Sequence, residues 1–110
     1  MHKDYRLRSR KDIERVMRRG LRSENVLLRS VVTRNTFGHI RLALVVPRAV
    51  QKRAVVRNRI RRRAREWVRT HPEFLRIPLD IALIFKKPAS TSPRKLFYEE
   101  LARVFAAFRA

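Results

Sequence analysis

Arginine and lysine are the side chains of this sequence best suited to binding a ligand, and they are most concentrated between Lys52 and Glu66. That segment reads KRAVVRNRIRRRARE, and eight of its first fourteen residues are basic. A guanidinium donates paired hydrogen bonds to phosphate and stacks on bases, whereas an ammonium offers a point charge. The chemistry indicated is the binding of a polyanion.

An apolar stripe runs through the same segment at the spacing of a helix. Its four members share one side of the helix, as core-facing residues do: Val56, Ile60, Ala64 and Trp67. Like charges four residues apart on the remaining arc repel by roughly 0.2–0.5 kcal/mol per pair. The segment is therefore predicted to be one helix with a packing face and a phosphate-binding face. Trp67 is expected in the core, and Arg63 is expected to pack its stem near the stripe while its head reaches solvent.

The charge of the whole chain supports the same interpretation. The 110 residues carry a formal net charge of +20, and 23 of the 29 basic residues are arginine. Such self-repulsion opposes a compact state, and a polyanionic partner relieves it, so nucleic acid is the first candidate. A chain of this length supports one hydrophobic core, and we expect a single RNA-binding domain over residues 1–110.

Several classes of function find no support in the sequence. Cysteine is absent, and the three histidines and nine acidic residues are scattered without metal-ligand or triad spacing. With two glycines there is no phosphate-binding glycine loop, so no catalytic residue, protein metal site or small-molecule substrate is expected. No apolar run suits a signal peptide or membrane span, which favours a cytoplasmic protein without a membrane partner.

Local patterns predict a mixed α/β (α+β) chain in the order α-β-β-α-β-α. Ser9 can cap the first helix and Gly20 can end it, while turn residues separate two apolar, β-branched runs as in a hairpin. Proline ends the second strand and starts the last helix. The predicted elements are a helix from Ser9 to about Arg19, hairpin strands over 26–34 and 40–46, the basic helix from about Val55 to His71, a buried strand over 80–85, and a helix from Ser92-Pro93.

The basic segment also resembles a known motif. Residues 54–62, AVVRNRIRR, followed by Arg65-Glu66, resemble the RNR motif of the protein subunit of bacterial ribonuclease P. Residues 12–17 resemble that family's first helix, 42–46 resemble its strand before the motif, and 80–89 resemble its strand ending in a basic-Pro-Ala step. The resemblance covers nearly the whole chain.

The resemblance implies a subunit of an endoribonuclease whose catalytic groups lie on a large RNA. That enzyme removes the 5′ leader of precursor tRNA by Mg²⁺-dependent phosphodiester hydrolysis, with Mg²⁺ bound mainly by the RNA subunit and the substrate. The implied partners are the catalytic RNA subunit and precursor tRNA. The implied fold is a two-layer sandwich with a small mixed sheet and a left-handed β-α-β crossover, although right-handed crossovers are the general rule.

In the family, the motif helix docks on the catalytic RNA, and a cleft between the first helix and the sheet holds the leader. The residues expected to bind the RNA subunit are Lys52, Arg53, Arg57, Asn58, Arg59, Arg61, Arg62 and Arg65. The residues expected to bind the leader are Tyr5, Arg8, Ile13, Arg15, Met17, Arg29 and Lys86.

The chain departs from the family at the leader cleft. Aromatic side chains often stack on leader bases there, whereas Ile13 and Met17 occupy the corresponding positions of this sequence. These two residues either give sequence-tolerant apolar contact to the leader or only pack in the core, and Tyr5 could supply the missing aromatic ring.

Two other classes of protein share the basic composition. A structural ribosomal RNA-binding protein would also be small and arginine-rich, and its affinity would depend on salt in the same way. A protein that packs double-stranded DNA is the second alternative, and it would need a groove-reading element or a flexible arm.

Overall fold

The computed structural model of the chain describes residues 3–108 in full and the backbone of Arg109. The helices are α1 (Arg10–Arg19), α2 (Ala54–Arg69) and α3 (Arg94–Ala106). The strands are β1 (Leu21–Glu24), β2 (Leu28–Arg34), β3 (Arg41–Val45) and β4 (Leu79–Phe85). Short 3₁₀ turns lie at Lys3–Tyr5, Pro72–Phe74, Lys87–Ser90 and Ala107–Arg109. The predicted α+β class is confirmed, with β1 as a strand that sequence patterns missed.

The four strands form one mixed sheet in the order β1-β2-β4-β3. β2 is antiparallel to β1 and β4, whereas β3 is parallel to β4 and reaches it through α2. The predicted hairpin between residues 26–34 and 40–46 is therefore wrong, because β4 lies between these strands. β4 is buried on both faces, so it belongs at the centre of the sheet, where it displaces the local pairing. The handedness of the crossover stays a prediction.

β1 went unpredicted because all four of its residues are exposed. An edge strand of this kind has no apolar alternation for a sequence pattern to detect. Its pairing with β2 nevertheless extends the sheet, with Arg22 opposite Val31 and Glu24 opposite Arg29.

Helices lie on both faces of the sheet. α2 and α3 form the helical layer of the expected sandwich, and α1 partly covers the opposite face. The larger core joins α2 and α3 to one face and includes Ile60, Trp67 and Phe105. Trp67 is 5% exposed, and its ring lies 4.0 Å from that of His71, which confirms its predicted place in the core. The smaller core lies under α1 and contains Leu7, Val16, Val31, Ala43 and Ala82.

The two ends of α1 follow from its flanking residues. Ser9 Oγ accepts a hydrogen bond from the Asp12 N–H at 3.4 Å, so the predicted cap is confirmed. Gly20 ends the helix, and its N–H donates to Val16 O at 2.8 Å. The φ of Gly20 is −73°, which any residue can adopt, so glycine is needed here because the neighbouring atoms lie too close for a side chain. A Cβ at this position would overlap Val31 Cγ1 and lie 2.6 Å from Val16 O.

We expect Gly20→Ala to lower the free energy of unfolding by about 1–3 kcal/mol, because the added methyl forces α1 away from β2. Chemical denaturation followed by circular dichroism measures the change. Gly38→Asn is the control: Gly38 has a φ of +77° in open space, and asparagine tolerates that conformation. Equal losses in the two variants would contradict the packing explanation.

Candidate nucleic-acid interface

The basic side chains of α2 divide between two flanks of the helix. Arg57, Arg61 and Arg65 follow one another at helical spacing, and Arg61 Nε approaches Leu44 O of β3 at 3.4 Å. On the other flank, an Arg59 guanidinium nitrogen donates to Ser90 O at 3.0 Å, near the start of α3. The helix therefore presents cations on both sides of its buried stripe.

Between the flanks, α2 and the residues before it carry an exposed row that points away from the core. Asn58 and Arg62 are exposed, as are Lys52 and Arg53 immediately before the helix. Asn58 Oδ1 accepts a hydrogen bond from Arg61 at 3.0 Å. Arg57 is half-buried and donates to Gln51 O at 3.0 Å and Lys52 O at 2.8 Å, bracing the loop before α2.

Like charges are crowded on both flanks. Burial lowers the pKa of Arg65 from its ordinary value, and the charges of Arg6 and Arg61 lower it further. On the opposite flank, burial and the charges of Arg59 and Arg94 lower the pKa of Arg63. Each guanidinium is thus destabilised by its surroundings, and an anion bound there would offset the repulsion. Half-buried Arg63 lines a groove of about 240 Å³ with Arg62, Glu66, Arg94 and Tyr98.

A second groove lies between α1, β3 and α2, and we call it the α1 groove. Its volume is about 230 Å³, and its floor is apolar with basic residues at the walls. The lining residues are Arg6, Leu7, Arg8, Ile13, Leu42, Ala43, Leu44, Val45, Arg61 and Arg65. Arg8 and Ile13, expected at the leader, thus meet Arg61 and Arg65, which were expected at the RNA subunit.

Three further leader candidates lie on the sheet face that α1 partly covers. Arg29 is exposed on β2 opposite Ile84, and strand alternation directs both toward the side on which α1 packs. Met17 and Ile84 are half-buried against the smaller core. Lys86 follows β4 and donates to Asn25 O at 2.7 Å. A hydrogen bond and the charge of Lys86 also hold the pKa of Glu24 below its ordinary value.

Two leader candidates occupy other positions. Tyr5 packs edge-on to His39 with ring centroids 5.1 Å apart and contacts the larger core. Arg15 belongs to α1, and its guanidinium lies 3.1 Å from the Asp80 carboxylate. Ile13 and Met17 pack against the smaller core, and Ile13 also lines the α1 groove, so packing and leader contact are compatible for Ile13.

Sequence patterns did not identify the role of Asp80, which begins the buried run of β4 and is fully buried. Arg41 donates to it from Nε at 2.8 Å and from a terminal nitrogen at 2.7 Å. Asn35 Nδ2 donates at 2.9 Å, and Arg15 of α1 donates at 3.1 Å. An acid inside a buried apolar strand is the signal that would have indicated buried cationic partners.

Burial by itself would raise the pKa of Asp80, but the partners of this carboxylate outweigh that effect. Hydrogen bonds from Arg41 and Asn35, together with the charges of Arg41 and Arg15, bring its pKa below the ordinary value. The ionised carboxylate therefore joins α1, β3 and β4. A group whose pKa is lower in the folded state stabilises the fold above its unfolded pKa and loses that contribution as pH falls through the folded value.

We expect Asp80→Asn to lower the free energy of unfolding at neutral pH by roughly 3–5 kcal/mol, because half-buried Arg41 loses its carboxylate. The difference from wild type should shrink below about pH 4, where the unfolded carboxylate is protonated and the native one begins to be. Denaturation midpoints between pH 3 and 7 measure it. Glu14→Gln, which removes an exposed partner of Arg10, is the control and should cost under about 1 kcal/mol. A pH-independent difference for Asp80→Asn would contradict the ionic role.

The site offers anion binding rather than acid–base or metal chemistry. No group of three or more His, Asp or Glu side chains is placed to hold a metal ion within the described residues. No helix in that part of the chain is long and apolar enough to span a membrane. The arrangement is a basic helix beside a groove with an apolar floor and arginine walls, which are features of proteins that bind nucleic acid.

A mixed sheet with a basic helix beside a cationic groove places the chain among small, arginine-rich nucleic-acid-binding proteins. The family model for ribonuclease P matches residues 1–109, so the chain belongs to the ribonuclease P protein family. It is 30% identical to the ribonuclease P protein component of Nitrosomonas europaea over 91% of this chain and 83% of that protein.

Solved structures agree with this assignment. The ribonuclease P protein of Staphylococcus aureus superposes with a TM-score of 0.84 at 27% identity, over 94% of each chain. That of Thermotoga maritima superposes with a TM-score of 0.83 at 25% identity, over 93% of this chain and 96% of that one. Membership of this family implies a ribonuclease P RNA as partner.

Proposed function

We propose that this chain acts as a single RNA-binding domain in a cytoplasmic ribonuclease P that removes the 5′ leader from precursor tRNA. The RNA subunit supplies the catalytic groups, and the protein holds that RNA and the leader. One observation carries the proposal: a helix with cations on both flanks forms one wall of a groove whose floor is apolar. A helix that binds a structured RNA and a groove that holds a flexible strand are the two parts such a subunit needs.

The outward row of α2 is the surface proposed for the RNA subunit. Lys52, Arg53 and Arg62 are exposed, and arginine can make paired hydrogen bonds to phosphate at such positions. Asn58 adds a side chain that both donates and accepts. Arg57 and Arg59 are half-buried and bound to backbone carbonyls, so they brace this surface and add charge beside it.

The α1 groove and the adjoining sheet face are the surface proposed for the leader. Arg61 and Arg65 line this groove with Arg8, so we assign them to the leader rather than to the RNA subunit. Ile13 supplies apolar contact that does not depend on base identity. Met17 and Arg29 extend the same face toward Lys86. A cationic groove with an apolar floor suits a leader whose sequence varies.

Mg²⁺ would be bound by the RNA subunit and the substrate. The described residues contain no carboxylate cluster for it, and buried Asp80 is already engaged by two arginines and an asparagine. Mg²⁺ would neutralise phosphate charge and support hydrolysis there, while this chain adds fixed positive charge that lowers the concentration of Mg²⁺ needed.

Adding the chain to its cognate catalytic RNA should increase cleavage of precursor tRNA at low Mg²⁺. Replacing both Arg53 and Arg62 by alanine should weaken binding to that RNA and reduce its salt slope by about 1 per residue, because each removes a phosphate contact. Filter binding across a salt series measures both quantities. The control is Arg76→Ala with Arg103→Ala, two exposed positions whose loss changes the net charge equally.

Absence of stimulation with a correctly folded catalytic RNA would contradict the proposal and favour a structural ribosomal protein. Equal salt slopes in the test and control variants would show that net charge, rather than the row on α2, determines binding.

A substitution at Met17 tests the leader surface. Met17→Phe should tighten binding of precursor tRNA by about 5-fold or more, because stacking on an aromatic ring adds to the apolar contact. Binding of mature tRNA without a leader should not change. Leu96→Phe, at an exposed apolar position on α3, is the control for an added ring elsewhere. A gain in affinity of equal size for mature tRNA would show that Met17 does not contact the leader.

A further inference from the structure

The loop between β2 and β3 presents an aromatic ring to solvent. Phe37 is 54% exposed, and among residues 3–108 no other Phe, Tyr or Trp is as open to solvent. The proposed leader and RNA-subunit surfaces do not use it. A large apolar ring left in water contributes little to the hydrophobic stabilisation of the fold, so the exposure of Phe37 points to a role other than packing.

The loop conformation that presents Phe37 is held in advance of any binding. Asn35 Oδ1 accepts a hydrogen bond from the Phe37 N–H at 3.0 Å. Asn35 Nδ2 donates to His39 O at 3.0 Å and to buried Asp80 at 2.9 Å. Gly38 takes a φ of +77°, which permits the tight turn after the ring. One side chain, anchored on the central carboxylate, therefore closes the loop.

One face of the ring is already covered by a fixed cation. The Arg41 guanidinium carbon lies 4.1 Å from the Phe37 ring centroid, and Asp80 holds that guanidinium through two hydrogen bonds. The ring and guanidinium thus form a rigid stack. When a planar group binds the opposite face of the ring, little entropy is lost in ordering the protein, because the ring is already held in place.

Cations surround this stack on two sides. One groove, of about 390 Å³, is lined by Lys3, Asp4, Arg6, Phe37, His39 and Arg41. A second, of about 200 Å³, lies on the other side and includes Arg34 and Arg15 beside Asp12. Arg6 Nε is buried and has no hydrogen-bond partner among the described residues. Positive charge therefore lies where phosphates on either side of a stacked base would be.

We infer that Phe37, backed by Arg41, is a stacking site for an unpaired nucleobase of RNA, with Lys3, Arg6 and Arg34 binding the flanking phosphates. A single ring among cations matches a base and its phosphates, whereas a protein or membrane partner would need a contiguous apolar patch. Arg6 also lines the α1 groove, so one strand could contact both places. This site is additional to the proposed function and does not depend on it.

Binding of short RNA to the full chain tests the site. The probes are an eight-nucleotide RNA containing 2-aminopurine and an abasic strand of the same length. Phe37→Ala should weaken binding of the base-bearing strand by at least about 5-fold and leave the abasic strand nearly unchanged. Phe37→Tyr should restore binding, and Phe37→Leu, which keeps apolar area, should not. Val26→Ala, at another exposed apolar position, is the control.

A photoreactive benzophenone side chain at position 37 should crosslink to the RNA, and one at position 26 should not. Equal weakening of both strands by Phe37→Ala, or unchanged binding with no crosslink from position 37, would overturn the inference. If Phe37→Ala abolished binding to anionic phospholipid vesicles and left RNA binding unchanged, this result would also overturn the inference, in favour of a membrane surface. Thermal denaturation verifies that each variant is folded. Binding of the catalytic RNA, measured separately, tests the proposed function and can succeed when this site fails.

Discussion

Hydrogen bonds to the ionised carboxylate of Asp80 hold α1, β3 and the loop between β2 and β3 against the central strand. This carboxylate is fully buried at the start of the central strand, and its partners come from three other elements: Arg15 from α1, Arg41 from β3 and Asn35 from the loop between β2 and β3. Removing one partner from a buried ionic network costs more than removing an exposed pair. The position of α1 over the sheet, and with it the α1 groove, therefore depends on one charge.

On α2, by contrast, positive charges greatly outnumber the carboxylates that could pair with them. Glu66 pairs with Arg69 at the C-terminal end, and no acid lies in the first turn. Burial, and then the charges of neighbouring arginines, lower the pKa of Arg63 and Arg65, so like charges repel one another on both flanks of the helix. Phosphates would relieve this repulsion. The fold thus uses the buried carboxylate of Asp80 to place its elements, whereas the excess charge of α2 is available to an anionic partner.

Sequence patterns located most elements because these depend on local spacing. The stripe of α2, the Ser9 cap and the buried run of β4 all appear within a few residues. Strand pairing in the sheet depends on residues far apart in the chain, so local patterns do not show it. The hairpin prediction was wrong because a strand fifty residues further along the chain, buried on both faces, takes the place between β2 and β3. Exposed β1 left no apolar signal at all.

Residue types and their spacing were enough to show that one basic amphipathic helix dominates a polycationic chain, and the RNR segment of that helix was sufficient to indicate the family. Spacing within one helix carries that information. Which cations are engaged inside the protein and which are exposed could be seen only in the folded chain, because that depends on contacts between residues distant in the sequence. Arg15 is held by Asp80, Arg61 and Arg65 join Ile13 at one groove, and Phe37 is kept exposed by Asn35.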